Sequence, residues 1–168
     1  MNKRWALLLL LWAGSALAEF SFEYDFDANV KPWKEIQAKL PAKPEQADLV
    51  EIPLDTRSPH HYWVDKSSVS VGEDKVVRYT MVIQTAGGAR DVSYEGMRCD
   101  KGEAKTYAFG RPDGEWVRNR YATWRPIRFR VRNDYQGELF SHYFCTVGGA
   151  ADMNTIKRAL ANGGIRQD

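Results

Sequence analysis

Three observations predict an α+β fold, an antiparallel β-meander of about five strands with a short N-terminal helix and two C-terminal helices. Apolar and polar residues alternate through residues 61–99, glycine turns punctuate that stretch, and beyond Trp124 the apolar spacing changes to three and four. Period two is the signature of a strand with one buried face, and spacing of three and four that of a helix.

Taken in chain order, Pro32 at a helix N1 position, with Trp33, Ile36 and Leu40 at helical spacing, predicts a short helix ended before Pro41. Pro41-Ala42-Lys43-Pro44 reads as a stiff connector, and residues 49–54 as a short edge strand, since Pro53 has no N–H to give a ladder. In residues 61–71, Tyr62, Val64, Val69 and Val71 mark the next strand. Gly72-Glu73-Asp74 turns into residues 75–85, where Val77, Tyr79, Met81 and Ile83 share a face.

Gly87-Gly88 predicts a hairpin to residues 89–99, a turn at residues 100–102 leads to 105–109, and Gly110-Arg111-Pro112-Asp113-Gly114 leads to 116–121. Tyr135, Leu139 and Tyr143, with Phe140 and Phe144, then predict a helix carrying Cys145 at its end. Asp152 is placed to cap a last helix with Met153, Ile156 and Leu160 on its buried side, and Gly163-Gly164 to stop it.

At the other end of the chain, Lys3 and Arg4, the apolar run 5–12 and the small residues Ala16 and Ala18 read as a secretory signal cleaved before Glu19. The domain reading is therefore a signal at 1–18, an extended or flexible arm at 19–31, and one disulfide-closed α+β domain at 32–168. Phe20, Phe22, Tyr24 and Phe26 alternate with polar residues in the arm, which fits either a frayed terminus or a partner-binding or edge strand. The location implied is periplasmic. No second long apolar run follows, so no transmembrane segment is expected once the signal is removed, and neither cysteine stands where a lipid anchor would attach.

The chain carries 24 basic and 22 acidic side chains, net +2, and Lys3 and Arg4 leave with the signal. The mature chain is balanced, which removes any whole-protein electrostatic case for nucleic acid. In an oxidising compartment two cysteines have one possible pairing, Cys99–Cys145, expected to pin the helical tail to the sheet. A redox pair is the competing use, but the Cys-x-x-Cys spacing that lowers a thiol pKa is missing.

Chemistry is harder to find. The three histidines, His60, His61 and His142, match no common zinc spacing even with Asp65 or Glu138, and Ser67, Ser68 and Ser93 lack a nucleophile-elbow context. No metal and no cofactor is expected. The sharpest charge feature runs from Arg118 to Arg132. There Arg128, Arg130 and Arg132 alternate with Ile127, Phe129 and Val131, and with Arg125 they form a candidate anion-binding face if the segment is extended. Its ligand would be lipid A, a phosphate headgroup or a peptidoglycan carboxylate; the plainer reading is a solvated strand face. Trp63, Trp116 and Trp124 suit a core, or the wall of a carbohydrate or peptide groove.

Residues 62–72 (Tyr-Trp-Val-Asp-Lys-Ser-Ser-Val-Ser-Val-Gly), Val77-Arg78-Tyr79-Thr80, Ser93-Tyr94-Glu95-Gly96-Met97-Arg98-Cys99, Trp124-Arg125-Pro126-Ile127 and Tyr143-Phe144-Cys145 together resemble the cryptic neisserial protein family of small exported bacterial proteins. A more distant similarity is to surface-adhesin-E-like modules. The resemblance implies a proteobacterial periplasmic protein and brings no catalytic residues. Tyr94, Glu95 and Arg98 are expected either as a buried cluster under the disulfide or as the floor of a groove.

The function expected is a non-enzymatic envelope module that binds an envelope protein or an anionic envelope ligand. The alternative is an envelope hydrolase acting on glycan or lipid, with Glu95, Asp65 or His142 as acid–base groups. A third is an adhesin displayed at the surface.

Overall fold

The computed structural model describes residues 32–54, 58–129 and 134–165, so the signal, the 19–31 arm, Arg130 and Arg132 lie outside the described residues. The main sheet contains β1 (Leu49–Glu51), β2 (His61–Val71), β3 (Val76–Gln84), β4 (Arg90–Arg98), β5 (Glu103–Gly110) and β6 (Trp116–Arg118), paired antiparallel in sequence order. A two-residue β7 (Arg125–Pro126) pairs with Glu103 and Ala104 of β5, whereas β6 pairs with residues 108–110 of the same strand. The sheet thus has seven strands instead of about five, the additions being short pieces at its margins.

The pleat sorts side chains onto two faces. On one, Tyr62, Val64, Val77, Tyr79, Met81, Met97 and Ala104 meet the C-terminal tail. That tail is α1 (Tyr135–Leu139), a wider π-type turn (Phe140–Phe144), the two-residue strands β8 (Cys145–Thr146) and β9 (Gly149–Ala150), and α2 (Met153–Asn162). Leu139, Phe144 and Ile156 are fully buried there, and each contributes about 1.5–3 kcal/mol by leaving water. The Asp152 carboxylate accepts the N–H groups of Asn154 and Thr155, and the helix ends at Gly163, as the sequence predicts. Cys99, one residue past β4, is bonded to Cys145 with Cα atoms 5.5 Å apart, so the tail is fastened to the sheet covalently.

The predicted N-terminal helix does not form. Residues 33–44 instead run as an irregular strap over the opposite face of the sheet. A helix would satisfy its own N–H and C=O groups; here distant side chains do so. The Ile36 N–H donates to Asp74 Oδ2 (2.8 Å), Arg78 Nη2 donates to the Ile36 carbonyl (2.8 Å), and Trp116 Nε1 donates to the Pro41 carbonyl (2.9 Å). Trp33 and Ile36 remain 42% and 44% exposed.

A second small cluster lies under the strap: Ala38, Tyr94, Tyr107 and Ala108, with Leu40 and Trp116 against it. The β4–β5 register shifts between Tyr94 and Glu95, and Tyr107 is the extra residue. Gly96 makes room for it, since a Cβ there would sit 2.6 Å from the Tyr107 hydroxyl. Gly96→Ala is expected to cost about 1–3 kcal/mol by overpacking, read from the denaturant midpoint.

Candidate functional site

Most buried polar groups on the strap face are committed to holding the fold. Arg78 Nη2 lies 2.6 Å from Asp74 Oδ2 in a buried ion pair. Burial alone raises the Asp74 carboxyl, but its bonds to Arg78 and to the backbone of Ile36 outweigh that and leave it below the usual carboxylate range. Glu35 behaves likewise. Burial raises it, and Lys105 (2.9 Å), the Tyr107 hydroxyl (2.8 Å) and Trp124 Nε1 (3.2 Å) together bring it below its ordinary value. The same arrangement pushes the Tyr107 phenol up, first by burial and then by its bond to Glu35. Arg98 stacks 3.9 Å from the Trp33 ring and donates to Glu103.

The core face has its own hub. Glu95 is 2% exposed and accepts from Tyr79, Tyr135, Ser93 and Gln136 at 2.7–3.1 Å. Burial, then the Glu95 charge, raises both tyrosines. This carboxylate bolts α1 to β3 and β4. Tyr94 and Arg98 alternate with it and project to the strap face, so the expected Tyr94–Glu95–Arg98 cluster is divided between the two sides of β4.

The groups named for acid–base work are likewise apart, and no two of them are hydrogen-bonded to each other. Asp65 accepts from the Ser67 N–H and hydroxyl at an irregularity in β2, Glu95 is the hub just described, and His142 is exposed on the π-type turn. No group of three or more metal-ligating side chains occurs among the described residues, and no helix there is long and apolar enough to cross a membrane.

Of the arginine run, Arg125 and Pro126 pair with Ala104 and Glu103, and the Ile127 N–H donates to the Gly102 carbonyl (2.8 Å), after which residues 128 and 129 are not in a strand. Arg125 and Arg128 are exposed, and the other two arginines of the expected anion-binding face, Arg130 and Arg132, lie outside the described residues.

A different set of cations lines a cavity of about 380 Å³ on the strap face at one end of the sheet. Its floor is the cross-strand row Val92, Gly110 and Trp116, paired directly from β4 to β5 to β6. A Cβ on Gly110 would stand 2.9 Å from Val92 Cβ and 3.6 Å from Trp116, so the glycine lets both side chains lie low against the backbone. Pro44 and Pro112 form the sides, and Lys43, Arg90 and Arg111 supply the charge.

Arg90 opens β4 after the Gly87-Gly88 turn, Arg111 begins the β5–β6 turn, and Lys43 arrives on the strap, its Nζ 3.4 Å from the Pro112 carbonyl. Among the described residues no acid lines the cavity, and neither arginine side chain makes an ion pair or hydrogen bond. Such an arrangement suits an oxyanion, which two guanidinium groups can hold bidentately.

A family model described as the CNP1-like family matches residues 28–161. The chain belongs to the CNP1-like family. The match takes in every motif segment from Tyr62 to Cys145 on which the family resemblance rests. No curated protein and no solved structure matches this CNP1-like chain. The CNP1-like family is one of uncharacterised proteins, so the site rests on its own geometry.

Sequence reading missed Lys43, Arg90, Arg111 and Gly110. The signal available was the turns. In an antiparallel meander alternate turns lie at the same end of the sheet, which puts the cation after Gly87-Gly88 beside the one in Gly-Arg-Pro-Asp-Gly.

Proposed function

We propose that the chain is an exported cell-envelope protein that works by binding, holding an anionic envelope ligand in the Lys43–Arg90–Arg111 cavity. The carrying observation is three cations from three separate segments around an apolar floor, with no carboxylate among the described residues that line the cavity. The periplasmic placement is supported by Lys3, Arg4, Ala16 and Ala18. The binding reading, as against the envelope hydrolase, is supported by the scatter of Glu95, Asp65 and His142.

Two measurements test it. Mass spectrometry of the protein recovered from the periplasm is expected to give a chain beginning at Glu19; a retained signal contradicts the export reading. Calorimetric titration of that mature chain with inorganic phosphate at low salt is expected to show binding that weakens as salt rises.

Each charge-assisted hydrogen bond contributes about 1.5–3 kcal/mol, so Arg90→Gln with Arg111→Gln is expected to weaken binding at least tenfold, with the melting temperature unchanged. Arg128→Gln with Arg130→Gln tests the arginine run separately. Affinity unaltered by the first pair and lost with the second would move the site to residues 125–132.

A further inference from the structure

We infer that the cavity selects a small phosphate monoester carrying a flat apolar ring, in preference to a bare anion or a membrane surface. This rests on the anion-binding reading and names its ligand class. The cations, on the start of β4, the β5–β6 turn and the strap, are exposed, while the floor residues Val92, Gly110 and Trp116 are half-buried. An inorganic anion engages the cations and leaves that floor wet. A ring beneath the phosphate covers it, so apolar surface is removed from water on both partners.

Trp116 is a prepared wall for such a ring. Its Nε1 is anchored on the Pro41 carbonyl at 2.9 Å, and its ring packs 6.1 Å from that of Tyr94, so the indole is fixed before any ligand arrives. At about 380 Å³ the cavity lies near the lower limit for small-molecule sites, which suits one ring and its phosphate and is too small for a folded peptide. Three cations, with no acid among the described residues that line the cavity, match the double charge of a phosphate monoester better than a single carboxylate.

The test titrates the mature chain with phenyl phosphate, glycerol phosphate, inorganic phosphate and benzoate, and measures flotation with vesicles containing 20% phosphatidylglycerol. Phenyl phosphate is expected to bind at least tenfold more tightly than each of the other three small anions and to release the protein from any vesicle contact. Arg90→Gln with Arg111→Gln is expected to weaken all four small anions by tenfold or more. Trp116→Leu is expected to bring phenyl phosphate down to the level of glycerol phosphate while leaving that weaker binding in place.

Because Trp116 also anchors the strap, the ranking on the unmutated chain is decisive, and Trp116→Phe, which keeps a ring, is expected to keep the preference. Equal affinity for phenyl, glycerol and inorganic phosphate overturns the ring selection and leaves the anion reading standing. Benzoate equal to phenyl phosphate overturns the phosphate choice. Vesicle binding that persists in excess phenyl phosphate overturns the inference in favour of a membrane surface. No binding of any small anion brings down both this inference and the reading beneath it.

Discussion

Replacing Cys99 and Cys145 together with alanine is expected to lower the unfolding free energy by about 4 kcal/mol, the chain-entropy value for cysteines 46 residues apart. The bond joins the end of β4 to the end of the π-type turn, so it restricts the unfolded chain between the sheet and its helical cover. Typical domains are stable by only about 5–15 kcal/mol, which makes this a large fraction. The measurement is the urea midpoint with and without reductant. Hydrogen exchange in the reduced protein is expected to rise first in α1 and α2, which lose their covalent tether, and later in β3 and β4. A midpoint indifferent to reductant would contradict the staple.

Asp74→Ala is expected to cost about 3–5 kcal/mol, because it leaves the Arg78 guanidinium buried without its counter-charge. It also removes the acceptor for the Ile36 N–H, so the strap loosens and Trp33 fluorescence shifts toward that of a solvated indole. Asp74→Leu with Arg78→Met is expected to cost less than either single change, since no orphaned charge remains.

The pH dependence has a definite sign. The Asp74 carboxyl is held below its unfolded-state value, so its stabilising effect is full above about pH 4 and is lost as pH falls through the folded-state value. Acid unfolding of the wild-type chain should therefore be steeper than that of Asp74→Ala. Equal acid slopes would remove the ion pair from the account of stability.

Much of the sheet was legible because its strands obey one local rule. The alternation around Tyr62 and Val64 marks β2 to its ends, and Asp152, Ile156, Leu160 and Gly163 mark α2. The strap was illegible for the converse reason. Trp33, Ile36 and Leu40 have helical spacing, but the partners that decide the conformation, Asp74 and Arg78, lie about forty residues away, and no local propensity reports them.

Only the start of the arginine run can be compared: Arg125 and Pro126 pair with Ala104 and Glu103 and the Ile127 N–H reaches the Gly102 carbonyl, whereas Arg130 and Arg132 lie outside the described residues. The cavity was half legible. Arg90 and Arg111 follow from the meander, whereas Lys43 reaches them only because the strap is not a helix.

The anchors of the strap also impose an order of events. Trp33, Glu35 and Pro41 are fastened by Asp74, Lys105, Tyr107, Trp116 and Trp124, every one of them later in the chain. The nearest of these anchors, Asp74, lies about forty residues along the chain and the farthest, Trp124, about ninety, and contacts of such sequence separation close slowly. The N-terminal portion is thus among the last to be fully secured, and the β-strands must reach their pairing without its help.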